Sequence, residues 1–282
     1  SLARSVDHYD TALDIFSSIP ESKRDSYNYV AALVACETGL DWEQACFIMN
    51  EAKESGHGWT TSMVTTAIAA CGASGRAQEA LRILENAASS GVPLNVISFN
   101  AAVFACAGAG FGLAAVERAE NLSYDNYNDD YTDDIDDRDI DSIVLWKEAE
   151  DLVMFMKKLK IYPNRITYNA VIEAMGAANQ TSLIDHWYLD GVTAGHIQPF
   201  RGLESHGWID LHYHSVYMAR AAVRMTFETV YALYCADALP VDGRLIFIVG
   251  KGRKLLAEIN KQLKTEFDPP IQCHVRSQNL GR

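Results

Sequence analysis

Residues 100–106 read NAAVFAC, and three other stretches repeat their pattern: VAALVAC at 30–36, TTAIAAC at 65–71 and NAVIEAM at 169–175. Cys36, Cys71 and Cys106 stand 35 residues apart, while Met175 follows Cys106 by 69, which is 35 plus 34. A second anchor gives the same spacings: Ala45, Ala80 and Ala149 open the segments QACFIMNEAKESG, EALRILENAASSG and EAEDLVMFMKKLK. One unit of 35 residues therefore recurs, with extra chain inserted in its third copy. Within a unit, Ala67, Ile68 and Cys71 and then Ala80, Leu81 and Leu84 follow helical spacing, separated by Gly72–Gly75 and closed by Gly91 and Pro93. Each unit is thus expected to be a helical hairpin. Neither helix can bury its apolar face alone, so the copies are expected to stack as an all-α solenoid over residues 1–180, first helices lining its concave side.

The extra length coincides with a break in composition. Residues 121–145, NLSYDNYNDDYTDDIDDRDIDSIVL, carry nine acidic groups and one basic. A like-charge run poor in core-forming residues reads as a solvated, disordered insert, placed at about 111–145, or as an acidic surface for a protein partner. This window supplies much of the formal net charge of −13 over 282 residues, whereas residues 201–282 carry 11 basic and 8 acidic groups. An acidic total therefore does not exclude nucleic acid, because the base is concentrated at one end. Hydrophobic residues make up 49% of the chain, enough for a sizeable core, yet no apolar run is long enough to cross a membrane. Six cysteines without a CxxC spacing read as reduced thiols rather than a disulfide framework or zinc cage. The chain opens at Ser1 inside a helical pattern, so it reads as a fragment whose targeting segment lies elsewhere.

A period in the mid-thirties suits both tetratricopeptide repeats, which bind peptides, and pentatricopeptide repeats. The wording ISFN before AAVFACAGAG, and YPNRITYNAVIEAMGAAN at 162–179, resembles the second family. That resemblance implies single-stranded RNA read about one base per repeat, by a polar residue early in the first helix and the last residue of the repeat. On this sequence the pairs are Val30 with Thr60, Thr65 with Asn95, and Asn100 with Asn164, while Asn169 has no clear partner. The resemblance implies adenine for Thr65 with Asn95 and a pyrimidine for Asn100 with Asn164; Val30 departs from the pattern. Ile97 and Ile166 stand where bases would be sandwiched, and Ser62 holds that place in the second copy. Read without the family, Asn100 and Asn169 could equally cap or brace their own helices.

From Gly202 the periodicity changes, after a connecting helix or linker at 181–201. GWIDLHYH reads as a strand, the stretch from His214 to Leu239 as an amphipathic helix, RLIFIVG as a buried strand, GRKLLAEINKQLKTEF as a second helix and PIQCHVR as a third strand. A small α/β domain of order βαβαβ is expected over 202–282. Gly250-Lys251-Gly252-Arg253, with Lys254, forms a tight turn between strand and helix where free amides and basic side chains suit a phosphate. It is not a P-loop, since Gly252 follows Lys251. Asp210, His212 and His214 alternate along the first strand. The segments DLH (210–212), IFIVGKGRK (246–254) and Asn279-x-Gly281 resemble a small MutS-related domain, a family that includes nucleases. The resemblance implies Asp210 and His212 as candidate catalytic residues, with His212 as acid or base and Asp210 orienting it or holding Mg²⁺. The residues alone equally allow Asp210 to cap the following helix or pair with Arg220 or Arg224.

Taken together the halves resemble the PPR-SMR proteins of organelles. The combination implies a sequence-selective single-stranded RNA-binding protein of a chloroplast or mitochondrion, with cleavage by the C-terminal domain left open and DNA as a further candidate ligand. Two alternatives stand beside it: an RNA binder without chemistry, and a protein-binding helical scaffold.

Overall fold

The computed structural model describes residues 2–108, 145–198, 207–212, 214–237, 245–249 and 253–273. They form two compact units, one reaching Leu183 and the other beginning at Ile184.

The first unit is a stack of helical hairpins. After α1 (Leu2–Ser18) come α2 (Ser26–Gly39) with α3 (Trp42–Glu54), α4 (Thr61–Ala73) with α5 (Ala77–Ser89), α6 (Val96–Cys106) with α7 (Trp146–Lys158), and α8 (Arg165–Ala177). Each first helix packs on the next, α2 on α4, α4 on α6 and α6 on α8, whereas α3, α5 and α7 make no comparable contact with one another. Small side chains allow that approach: Ala32, Ala35, Ala69, Ala70, Ala101, Ala102, Ala105 and Ala170 are all buried. The first helices thus form a continuous packed row, and the second helices attach to it hairpin by hairpin. The second helices bury one face at recurring positions, Ala45, Ile48, Met49 and Ala52, then Ala80, Ile83, Leu84 and Ala87.

The turns repeat as faithfully as the helices. Within each hairpin the amide that opens the second helix donates to a carbonyl of the first: Asp41 to Cys36, Arg76 to Cys71, and Leu145 to Cys106, at 2.9, 2.8 and 3.2 Å. The chain leaves the third hairpin after Cys106 and resumes it at Leu145 with the same closure, so the extra residues fall between α6 and α7 in the chain. The acidic window at 111–145 falls outside the described residues except for Leu145. Second helices close through one left-handed residue, Gly56, Gly91 and Lys160, each followed by an amide bonded back into the helix (His57 to Ala52, Val92 to Ala87, Ile161 to Met156).

The second unit takes in all but the first three residues of α9 (Thr181–Thr193), then β1 (Gly207–Asp210), α10 (Val216–Cys235), β2 (Leu245–Ile248) and α11 (Arg253–Thr265). β1 and β2 pair in parallel, Ile209 opposite Phe247 and Asp210 opposite Ile248, as a strand–helix–strand crossover requires. Ser215 caps α10 by accepting from the Met218 amide. Arg224 holds Asp185 of α9 through its Nη2 at 2.6 Å, Arg220 pairs with Glu266, and Gln262 Nε2 donates to the Arg220 carbonyl at 3.0 Å.

The third strand expected at PIQCHVR does not form over its described part: residues 271–273 are irregular, and the Ile271 amide turns back to the Leu263 carbonyl at 2.8 Å. Pro269 and Pro270 immediately upstream supply no ladder donors, which disfavours a strand there. The expected motif at Asn279-x-Gly281 lies outside the described residues. All six cysteines are free. No described helix is long and apolar enough to cross a membrane.

Candidate nucleic-acid interface

The first five residues of each first helix do separate jobs, and these explain the wording ISFN and ITYN. The residue before the helix is an N-cap: Asp25, Thr60, Asn95 and Asn164 each accept the amide of the third helical residue (Asn28, Met63, Ser98, Thr167) at 2.9 to 3.3 Å. In three copies the third residue answers: the Asn28, Ser98 and Thr167 side chains accept from the backbone amides of Asp25, Asn95 and Asn164, completing capping boxes. The fourth residue, Tyr29, Val64, Phe99 or Tyr168, is a core anchor. The second and fifth residues remain for other work. The second is Tyr27, Ser62, Ile97 or Ile166, and the fifth Val30, Thr65, Asn100 or Asn169.

The structure brings Asn100 and Asn164 together. Asn100 Nδ2 donates to Asn164 Oδ1 at 3.3 Å, and the Thr167 hydroxyl donates to Asn100 Oδ1 at 2.6 Å. Asn100 is 0% exposed, so its carboxamide joins the third copy to the cap of the fourth. Thr65 does not mirror this arrangement: it is 5% exposed and its hydroxyl donates to the Thr61 carbonyl of its own helix at 2.8 Å. Its partner Asn95 is exposed, with Oδ1 committed to the Ile97 and Ser98 amides and with no partner for Nδ2 among the described residues. Asn169 repeats the position of Asn100 in the fourth copy. Its Oδ1 is buried without a hydrogen-bond partner among the described residues. The period would set its partner at Pro199, a residue outside those described.

Sequence reasoning missed two residues of this surface. Stepping the period back from Thr60 and Asn95 reaches Asp25, the first cap, and from Ser62 and Ile97 it reaches Tyr27. Tyr27 is 83% exposed at the position where Ile97 and Ile166 are half-buried. The ring is thus held out into solvent from a backbone fixed by the Asp25 capping box. A further link ties neighbouring copies at the same end, the Thr61 hydroxyl donating to the Pro93 carbonyl at 2.5 Å.

In the second unit Asp210 and His212 are brought together as well. Asp210 Oδ1 accepts the His212 backbone amide at 2.9 Å and lies 2.5 Å from His212 Nδ1, with both side chains about 40% exposed, 40% for Asp210 and 38% for His212. Asp210 therefore neither caps α10, which Ser215 does, nor pairs with Arg220 or Arg224, which hold Glu266 and Asp185. His214 turns its Nδ1 toward the His212 carbonyl at 3.2 Å. Among the described residues no group of three His, Cys, Asp or Glu side chains converges. Gly250, Lys251 and Gly252 lie outside the described residues. Arg253 and Lys254 open α11.

Residues 146–178, spanning α7 and the whole of α8, match the pentatricopeptide repeat domain. No curated protein matches the chain. Among solved structures it is similar to the pentatricopeptide repeat protein PPR10 in complex with an 18-nt psaJ RNA element, at 18% identity and a TM-score of 0.45, over 66% of this chain and 23% of that one. It is also similar to the PPR10 structure from maize, at 17% identity and a TM-score of 0.35, over 82% of this chain and 31% of that one. The chain spans about a quarter to a third of the length of these proteins.

Proposed function

We propose that the chain binds single-stranded RNA along the N-terminal ends of its first helices, one base per hairpin. The observation that carries this reading is the Asn100–Asn164 hydrogen bond, joining two residues 64 positions apart that the repeat logic pairs as one reader, of which Asn164 falls within the pentatricopeptide repeat match at 146–178. The exposed Asn95 Nδ2 offers a donor to a base edge, while Tyr27, Ile97 and Ile166 offer surfaces for stacking. In this reading the basic turn at 250–254 adds phosphate contacts, and the small MutS-related resemblance of the second unit, with its organellar setting in a chloroplast or mitochondrion, belongs to the same proposal.

RNA cleavage is a second reading, supported by the Asp210–His212 contact. A carboxylate that orients an imidazole makes a group able to move a proton to or from a reacting phosphodiester. The two readings separate on a denaturing gel of end-labelled single-stranded RNA in Mg²⁺. Cleavage by the native chain and none by an Asp210→Ala, His212→Ala protein of equal affinity establishes the second reading. Intact but bound RNA in both lanes leaves binding alone, and absence of binding at low salt refutes both.

A further inference from the structure

The turn that closes the third hairpin differs in kind from the others. The first and second place glycine at the left-handed position, Gly56 and Gly91 with φ of 79° and 74°, and Gly195 after α9 has φ of 78°. The third places Lys160 there with φ of 60°. A side chain is disfavoured in that conformation, which Leu40, Asn179 and Asp237 also adopt, so what sets Lys160 apart is the charge around it. Lys157 and Lys158 precede Lys160, Arg165 follows, and no acidic residue occurs from 152 to 172. The helix dipole accounts for Lys157 and Lys158 at the end of α7, but Lys160 lies beyond that helix. Lys158 and Lys160 are exposed and form no ion pair among the described residues. Two residues on, Tyr162 is 74% exposed, where the other hairpins have Gly58 and Pro93. The same turn runs directly into Asn164, the cap bonded to Asn100.

We propose that Lys158, Lys160 and Tyr162 form a strand-holding contact beside the Asn100–Asn164 pair, the ammonium groups taking RNA phosphates and the phenol ring stacking on a base. The assignment rests on the RNA-binding reading above and adds to it a place where the strand is gripped without regard to sequence.

The test uses the full chain and a fluorescein-labelled single-stranded RNA of randomised sequence, titrated between about 50 and 200 mM salt, a range over which phosphate contacts dominate the change. Lys158→Ala with Lys160→Gly removes both charges and restores the glycine of the sister turns, so thermal stability should not fall. Its plot of log affinity against log salt should be shallower by about 0.7 per lost contact. Tyr162→Ala should weaken binding about ten-fold at an unchanged slope, with Tyr162→Phe close to native. Native binding with unaltered slope and affinity in these variants overturns this contact while sparing the RNA reading. A native chain that fails to bind RNA at low salt overturns both.

Discussion

Asn100 and Asn164 share a hydrogen bond across two helical hairpins, and the fully buried Asn100 has its other end occupied by the Thr167 hydroxyl. The pair is therefore a structural joint between copies as well as a candidate reader.

Asn100→Ala should cost about 1–3 kcal/mol in urea unfolding, because it removes a buried group bonded at both ends. Thr65→Val should cost well under about 1 kcal/mol, since the Thr65 hydroxyl serves only a carbonyl of its own helix that already has a backbone partner. Equal losses would show that the joint contributes nothing between copies.

Asn95 combines two roles that substitution can separate. Asn95→Asp retains the Oδ acceptor that caps α6 and should leave stability within a few tenths of a kcal/mol, whereas Asn95→Ala should lose about 1 kcal/mol. Both remove the exposed Nδ2 donor, so both should weaken RNA binding several-fold at the base this residue faces. An Asp variant with native base preference would assign Asn95 to capping alone.

Gly72 sits where α4 meets α6. A Cβ built there would lie 3.0 Å from Ala105 Cβ and 3.3 Å from Ala105 Cα, tighter than ordinary contact on both a side chain and a backbone atom. Gly72→Ala should gain up to about 1 kcal/mol in helix propensity yet lose about 1–3 kcal/mol to crowding, a net destabilisation. Combining it with Ala105→Gly should recover the crowding cost, and a double-mutant cycle with coupling below about 0.5 kcal/mol would refute the close approach.

Glu266 gives the second unit an acid-sensitive clamp. Burial raises its pKa, but hydrogen bonds from Arg220 and Gln262 and the charges of Arg220 and Arg224 outweigh burial and hold it below the ordinary carboxylate value. A depressed folded-state pKa contributes stability that is present above the unfolded value and disappears as pH falls through the folded one. Glu266→Gln should therefore lower the thermal midpoint at pH 7 and change it little in acid, narrowing the gap from the native chain as pH drops. A gap that stays constant with pH would exclude the clamp.

Much of the repeat was legible because it is written twice, once in the small residues of the first helices and again in the alanines of the second. The position of the extra chain followed from arithmetic alone, since 69 exceeds 35 by the same amount at both anchors. The reader pairs were legible only as pairs. That Asn100 is sealed while Asn95 is open depends on which neighbouring cap reaches back, and the Thr167 hydroxyl that closes Asn100 is 67 residues away. Tyr27 was overlooked although the period marks it, because Val30 beside it breaks the expected polar pattern. In the C-terminal unit the first four elements were legible from their apolar periodicity. The strand assigned to PIQCHVR was not, since its apolar alternation competes with two adjacent prolines whose effect on pairing outweighs it.

The Leu145 amide bonded to the Cys106 carbonyl makes the third hairpin a natural splice point. Cys106 and Leu145 stand 39 positions apart where the corresponding residues of the sister hairpins stand five apart, yet the same amide-to-carbonyl bond is made. On either side of that point α6 and α7 bury the same positions as their sister helices, Cys106 matching Cys71 and Ala149 matching Ala80. A lineage could thus acquire, lengthen or discard an appendage there while the binding array around it stayed in register, and an engineer could graft a foreign peptide into the same gap.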